Sequence, residues 1–354
     1  MTRILVDTKC DFGDVLILPQ RSELSSRSET DLVRKTKFKN SGLDYSGVPV
    51  IVSNMDGAGT FDMARVVSKK HNLITCLVKH YSLEELVDFY TKNGEWAIQT
   101  VCYSLGISES DIAKYKAFKK QTYVKYVTID VANGYSERFI EFVKRFRDEN
   151  PHVVLIAGNV ATPEITSQLI LSGVDIVKVG IGAGNACSTR LKAGIGVPQL
   201  SAIIECADIA HGLGGHIIGD GGVTCPADFS KGFAAGADFM MAGSYFAGCD
   251  EGGGSILLDP VTGKKYVQFY GMSSATAQSK HGNGLQEYRA SEGRVIKVPY
   301  KGSVEPIILD LLGSIRSTLT YTGSKSIKDL PKRATFCLVN RQISTLYGIG
   351  DLMA

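Results

Sequence analysis

Nowhere in its 354 residues does the chain carry an apolar run that approaches the length of a membrane span. The opening stretch, MTRILVDTKCDFGDV, lacks the apolar core of a signal peptide, so a cytoplasmic location is expected. Charge of one sign is also missing. The 39 Lys and Arg against 36 Asp and Glu leave a net +3, too little to argue for nucleic acid or a membrane surface as partner. The eight cysteines (10, 76, 102, 187, 206, 225, 249, 337) contain no C-x-x-C pair and no metal-ligand spacing. In a cytosolic chain they are expected to be thiols, which argues against a disulfide scaffold or structural zinc. No G-x-G-x-x-G follows the first apolar run, which disfavours a doubly wound dinucleotide fold. Glycine is plentiful, at 38 residues, and much of it falls just after apolar runs.

Those runs recur with a period. They stand at 48–55, 73–79, 96–103, 124–132, 153–159, 174–182, 216–222 and 237–243, short, rich in Val and Ile, and bounded by Gly, Asn or Asp, as buried parallel strands should be. Helical spacing fills the gaps at 58–70, 82–92, 136–148, 162–172, 198–212 and 225–235. Ser82 with Glu85 forms a capping box, and Ser136 and Thr162 are candidate N-caps. Eight alternating units predict a TIM (β/α)8 barrel within one catalytic domain over 1–354, with an irregular N-terminal segment at 1–45. After the eighth strand the pattern breaks into a flap at 247–292, where SILLDPVTGKKYVQFY predicts a hairpin turning around Pro260–Gly263. A last helix is expected near 304–321. Beyond 325 the tail is expected to be peripheral and its basic run KSIKDLPKR a solvated face.

Barrels of this kind place their active site at the C-terminal strand ends. That rule gathers Ser53, Asn54, Asp56, Lys79, His80, Asp130, Asn133, Asn159, Asp220, Gly221, Gly222, Ala242 and Gly243. The loops after the seventh and eighth strands, GDGGVT and MAGSYF, suit a ribose phosphate: glycine amides for the phosphate and Asp220 for vicinal hydroxyls. Tight turns alone are the competing reading. The densest chemistry lies in VDIVKVGIGAGNACSTR (174–190), a buried strand opening into a glycine loop that ends in a thiol, two hydroxyls and a guanidinium. A structural cysteine is the plain reading of such a thiol. With Thr189 two residues on, and Arg190 and loop amides expected to depress the thiol pKa, attack on an electrophilic carbon is the functional one. Glycine carbonyls there can also hold a monovalent cation. Cys76, Cys102 and Cys206 lie in apolar segments and are expected in the core.

SGVPVIVSNMD, KHYS, DVANGYSE, AGNV, SGVDIVKVGIG, the cysteine loop, PQLSAIIECADIAHGLGGHI, YGMSS and EYRASEG together resemble the IMP dehydrogenase/GMP reductase family over nearly the whole chain. KHYS, EYRASEG, the lack of room for CBS domains between the second and third strands, and the lack of a recognisable Arg-Tyr pair in the flap favour its reductase branch. The resemblance implies reduction of GMP by NADPH to IMP with loss of ammonia, through a covalent bond from Cys187 to purine C2, with Thr189 and Glu292 moving protons. It implies a nucleotide site at Asp220, Gly221, Gly222, Ala242, Gly243, Met272, Ser273, Arg289 and Gly293. The cofactor would meet Lys79, Asp130, Val131, Ala132, Ile181, Gly182, Tyr288 and Arg289. Ser26, Arg27, Ser317 and Thr318 would reach a neighbouring subunit's cofactor in a homotetramer. Gly182, Gly184, Cys187 and Arg190 match a potassium loop. The chain departs from the family pattern at Val78, Ala183, Asn185, Ser188, Ala242 and Ser244. Loss of the usual proline at Ala183 is expected to loosen the loop, and Ala242 to crowd a phosphate oxygen. A modified or deoxy purine nucleotide is therefore an alternative substrate, and oxidation of IMP by NAD an alternative reaction.

Overall fold

The computed structural model describes residues 4–282 and 290–339. Eight parallel strands close a barrel in sequence order: β1 Val50–Val52, β2 Ile74–Cys76, β3 Val101–Leu105, β4 Tyr126–Asp130, β5 Val154–Val160, β6 Ile176–Val179, β7 His216–Asp220 and β8 Phe239–Ala242, the last pairing with β1. Eight helices follow them: α1 Phe61–His71, α2 Leu83–Thr100, α3 Glu109–Phe118, α4 Glu137–Glu149, α5 Pro163–Leu171, α6 Gln199–Gly212, α7 Pro226–Ala234 and α8 Glu305–Thr322. This is the TIM (β/α)8 barrel that the period of the sequence predicts. No helix among the described residues is long and apolar enough to cross a membrane.

Strand after strand is buried because both faces are covered. One set of side chains points inward, among them Ile51, Ile74, Cys102, Tyr126, Ile156, Ile176, Ile218 and Phe239, and fills the barrel. The other set packs outward against the helices. Capping follows the sequence in part. Ser82 and Glu85 form their reciprocal box, and the Ser136 hydroxyl accepts from Phe139 N at 3.3 Å. Thr162 stands at the N-cap of α5, yet its hydroxyl accepts from Tyr135 Oη at 3.1 Å instead of capping.

Several expectations are corrected. Residues 96–100 are helical, not the start of the third strand. Gly94, at φ +58° and ψ −137°, breaks α2 and lets a second helical stretch run to Thr100, with Ala97 buried beneath it. The helix α3 has no counterpart in the apolar spacing read above, since ESDIAKYKAF buries only Tyr115 and Phe118. The first 45 residues are more ordered than expected. Strands Arg34–Lys37 and Asp44–Gly47 form a hairpin that closes the N-terminal end of the barrel, with Phe38 and Tyr45 packed on Phe239 at centroid separations of 6.5 and 5.0 Å. The tail is not merely peripheral: Ile327 and Leu330, within the basic run, are buried, and Phe336–Leu338 pairs antiparallel with Val15–Ile17. The hairpin after β8 pairs Ile256–Leu258 with Lys265–Tyr270, but its sheet gains a third strand, Val295–Pro299, past the expected limit of 292.

The N-terminal hairpin is held by charge. Asp238, fully buried just before β8, pairs with Arg34 and accepts from His211 Nε2 at 3.0 Å and Ile217 N at 2.9 Å. His216 Nδ1 lies 3.2 Å away, off the hydrogen-bonding direction. Burial alone would raise the Asp238 pKa, but its histidine and arginine partners outweigh burial and hold it well below the usual 3.8. The bond to Asp238 in turn raises His211 above its ordinary 6.5. Asp238 thus stabilises the fold fully above about pH 3.8 and loses that effect as pH falls through its folded value. The His211 contribution is complete below about pH 6.5 and fades as pH rises through its raised value. Asp238→Ala leaves Arg34 uncompensated and should cost about 3–5 kcal/mol in urea denaturation at pH 6. A loss under about 1 kcal/mol would show that the network does not hold the hairpin.

Candidate active site

A cavity of about 730 Å³ opens at the C-terminal ends of the barrel strands. Of the residues singled out in the sequence, Lys79, Asp130, Val131, Ala132, Ile181, Gly182, Gly184, Cys187, Thr189, Asp220, Gly221, Gly222, Ala242, Gly243, Met272, Ser273, Glu292 and Gly293 all line it. Ser26, Arg27, Ser317, Thr318 and Arg190 do not. Ser26 and Arg27 are exposed near α8, which carries Ser317 and Thr318, so these four share an outer face. Tyr288 and Arg289 lie outside the described residues.

The cysteine loop leaves β6 and turns at Gly182, whose φ of +78° disfavours a side chain. Cys187 N donates to Gly184 O at 2.9 Å. Beyond it the loop pairs with the insert that follows β8: Ser188 N donates to Glu292 O at 2.8 Å and Arg294 N to Ala186 O at 2.9 Å, making Cys187 and Gly293 an antiparallel pair. That short ladder aligns three side chains. The Thr189 hydroxyl lies 3.2 Å from Cys187 Sγ and donates to Glu292 Oε2 at 2.9 Å. The result is a continuous path from thiol to hydroxyl to carboxylate. The other thiols have different surroundings. Burial raises Cys102 well above its ordinary value, Cys206 to about 12 and Cys249 to about 11, so none of these is a ready nucleophile.

Arg190 is held by the N-terminal segment. Its guanidinium makes a two-bond pair with Asp11, at 2.7 and 3.2 Å, and donates to Val197 O at 2.9 Å. The pair raises the Arg190 pKa above its ordinary value. A committed guanidinium anchors the loop to the N-terminal segment; toward a cation, Arg190 has only its carbonyl to offer.

Beneath the cavity runs a chain of polar groups. Asn54 Nδ2 donates to Asp130 Oδ2 at 2.6 Å, and Asn159 Nδ2 donates to Asp220 Oδ2 at 2.8 Å. Between the two carboxylates sits Lys178, buried, with Nζ at 3.3 Å from Asp130 and 3.4 Å from Asp220. The sequence reading does not single out Lys178. Its signal was a lone charge inside an otherwise apolar strand, two residues before the glycine loop. Asn159 Oδ1 is buried and has no hydrogen-bond partner among the described residues.

The insert is fastened to the barrel a second time at Asp56. This carboxylate, nearly buried after β1, accepts from Tyr270 Oη at 2.7 Å, His281 Nε2 at 2.5 Å and Lys280 Nζ at 3.1 Å. Burial works against its charge, but the three donors prevail and hold its pKa below the ordinary value. His281 stacks on His80 with centroids 3.6 Å apart and planes 4° from parallel. Burial, then the neighbouring His281 and Lys79, push His80 down to about 4, so it is neutral at pH 7 and the stack avoids like-charge repulsion.

Comparison with known proteins places this geometry in context. The model of the IMP dehydrogenase / GMP reductase domain matches residues 9–344. Human GMP reductase 1 is 52% identical over 348 residues, covering 98% of this chain and 100% of the human protein. Human GMP reductase 2 is 51% identical, covering 98% and 99%. The GMP reductase of Caenorhabditis elegans is 49% identical, covering 98% and 96%. The chain belongs to the IMP dehydrogenase/GMP reductase family.

Asn185 and Ser244, both singled out in the sequence, meet in space. Asn185 Nδ2 donates to Ser244 Oγ at 3.0 Å, so the cysteine loop and the loop after β8 are joined where both line the cavity. Gly221 adds to that closeness, since a Cβ there would stand 3.2 Å from Gly184 N. The cysteine loop is thus held at Asn185, at the Glu292 ladder and, through Arg190, at Asp11. Asp56→Ala removes the acceptor of three donors around helix Ala275–His281. Hydrogen bonds to charged groups are worth roughly 1.5–3 kcal/mol, so amide exchange over 275–281 should quicken at least about tenfold while the barrel strands keep their protection. Unchanged exchange in that helix would show that Asp56 does not hold it.

Proposed function

We propose that this protein is an enzyme that reduces GMP to IMP with NADPH and releases ammonia. One observation carries the reading: the path Cys187 Sγ, Thr189 Oγ1, Glu292 Oε2 lies in the same cavity as Asp220 and the glycine loops. Support comes from relatives named GMP reductase at about half identity over nearly full length.

The nucleotide sits with its ribose hydroxyls on Asp220 and its phosphate against the amides around Gly221, Gly222 and Gly243, with Met272, Ser273 and Gly293 assigned to the base and Arg289 assigned to the nucleotide as well. Cys187 gives its proton to the Thr189–Glu292 pair, and the thiolate forms a C–S bond at purine C2 as the C2=N3 double bond opens and its electron pair moves onto N3. The same pair returns a proton to the 2-amino group, which leaves as ammonia and restores the C2=N3 double bond. When bound, the nicotinamide supplies the hydride that becomes the C2 hydrogen of IMP. Cys187 then departs as the thiolate. The balance is GMP, NADPH and two protons to IMP, NADP and ammonium.

The cofactor fits the other side of the cavity, where Lys79, Asp130, Val131, Ala132, Ile181 and Gly182 stand, with Tyr288 and Arg289 assigned to it as well. The Lys79 ammonium has no hydrogen bond or ion pair among the described residues and is available to an anionic cofactor. A potassium ion fits the loop through the carbonyls of Gly182, Gly184, Cys187 and Arg190. Those of Gly182 and Cys187 accept no hydrogen bond among the described residues. We assign Ser26, Arg27, Ser317 and Thr318 to the cofactor of an adjacent subunit in a homotetramer, which explains why they lie together on an outer face. One catalytic domain without CBS modules and a cytoplasmic setting complete the reading, the latter supported by eight free thiols.

Purified protein should oxidise NADPH only when GMP is present and release one ammonia per turnover. Inability to do so removes the proposal, and NADH formation from IMP and NAD would favour a dehydrogenase. In a nucleotide panel, GMP should exceed its deoxy counterpart, because Asp220 is placed for vicinal hydroxyls. Cys187→Ala should abolish turnover. Glu292→Gln should lower kcat by about 10²–10⁴-fold with a much smaller change in KM for GMP. Turnover that survives Cys187→Ala would rule out the covalent route.

A further inference from the structure

Lys178 is a buried charge that the reaction just described leaves unused. Strand β6 is buried throughout, and Lys178 points into the barrel on the same side as Ile176. Room for its stem is made by Gly158 on β5, where a Cβ would stand 2.6 Å from Lys178 Cβ. An ammonium taken out of water costs several kcal/mol unless it is well paired. Here one ammonium is divided between two carboxylates at nearly equal distance, 3.3 Å to Asp130 and 3.4 Å to Asp220, with Asn54 Oδ1 at 3.5 Å. Burial would lower its pKa, but Asp130 and Asp220 more than reverse that and keep it charged.

The two carboxylates are arranged alike. Each spends Oδ2 on Lys178 and on an asparagine amide, from Asn54 or Asn159. On each, Oδ1 makes no hydrogen bond among the described residues, and both residues line the cavity. Each carboxylate therefore has one oxygen on the shared ammonium and one with no hydrogen bond among the described residues, at the edge of the same cavity. We propose that Lys178 is a positioning residue that couples the two ligand sites, because a pull on one carboxylate is passed through the ammonium to the other. The coupling rests on the reading that Asp220 meets the nucleotide ribose and Asp130 the nicotinamide half of the cofactor. Coupling of this kind is reciprocal, so each ligand changes the other's affinity by the same factor.

The test uses GMP binding by calorimetry with no cofactor present, in the full chain and in D130N, K178M, K178Q, K178R and the corresponding doubles with D130N. Asp130 does not touch the nucleotide in this arrangement. Its neutralisation leaves the ammonium wholly to Asp220, which becomes a weaker acceptor, so D130N should weaken GMP binding roughly five- to tenfold. Simple relief of charge repulsion would instead tighten binding of the anionic nucleotide. In K178M or K178Q the same D130N change should alter affinity less than about twofold, and K178R should restore the sensitivity. Unchanged or tighter GMP binding in D130N overturns the coupling, even if the lysine variants do not fold. So does an equal D130N effect with and without Lys178. A wild-type protein that binds no GMP removes the nucleotide reading and the coupling together, whereas an insensitive D130N removes the coupling alone.

Discussion

The antiparallel pairing between the cysteine loop and the insert at Glu292–Arg294 is the contact on which the site depends. Cys187 and Thr189 follow β6, while Glu292 follows β8 by about fifty residues, and no local preference brings them together. Two backbone hydrogen bonds do so, and they set side-chain spacing as a β-ladder does, by register. The 2.9 Å contact between Thr189 and Glu292 is a consequence of that register. The Asp56 cluster fastens the same insert from its other end, so the carboxylate is held between two anchors.

The barrel supplies the rigid frame for this pairing. Its interior is largely apolar in the lower layers, and at the top Lys178 stands between Asp130 and Asp220. The lower end is closed by Phe38 and Tyr45 and locked by the Asp238 cluster. A closed, well-packed base lets the upper rim carry costly groups: a buried ammonium, paired carboxylates and an asparagine oxygen with no partner among the described residues. Stability and chemistry are segregated to opposite ends of one set of strands.

Much of this was legible from residue order. Eight Val- and Ile-rich runs separated by helical spacing specify the barrel, because parallel strands buried on both faces leave a strong apolar signal. The rule that chemistry collects at C-terminal strand ends then finds the cavity: all the residues it gathers line it except Asp56 and Asn133, while the lining from the insert lies beyond its reach. The misses have physical causes. Residues 96–100 look like a strand because Trp96, Ala97 and Ile98 are apolar, yet the break at Gly94 allows a second helical turn. The helix α3 carries too few apolar residues to announce itself. The guanidinium of Arg190, three residues after the thiol, also pairs with Asp11, a contact that residue order does not announce.

Sequence by itself determined the fold class and the family, since these depend on periodicity and on local motifs such as the cysteine loop. Tertiary structure alone decided which groups touch. His281 joins Asp56 and His80, Asn185 joins Ser244, and Lys178 stands between two carboxylates from different strands. Such contacts are absent from the linear pattern because they depend on strand register and loop docking, which closure of the barrel sets for all eight strands at once.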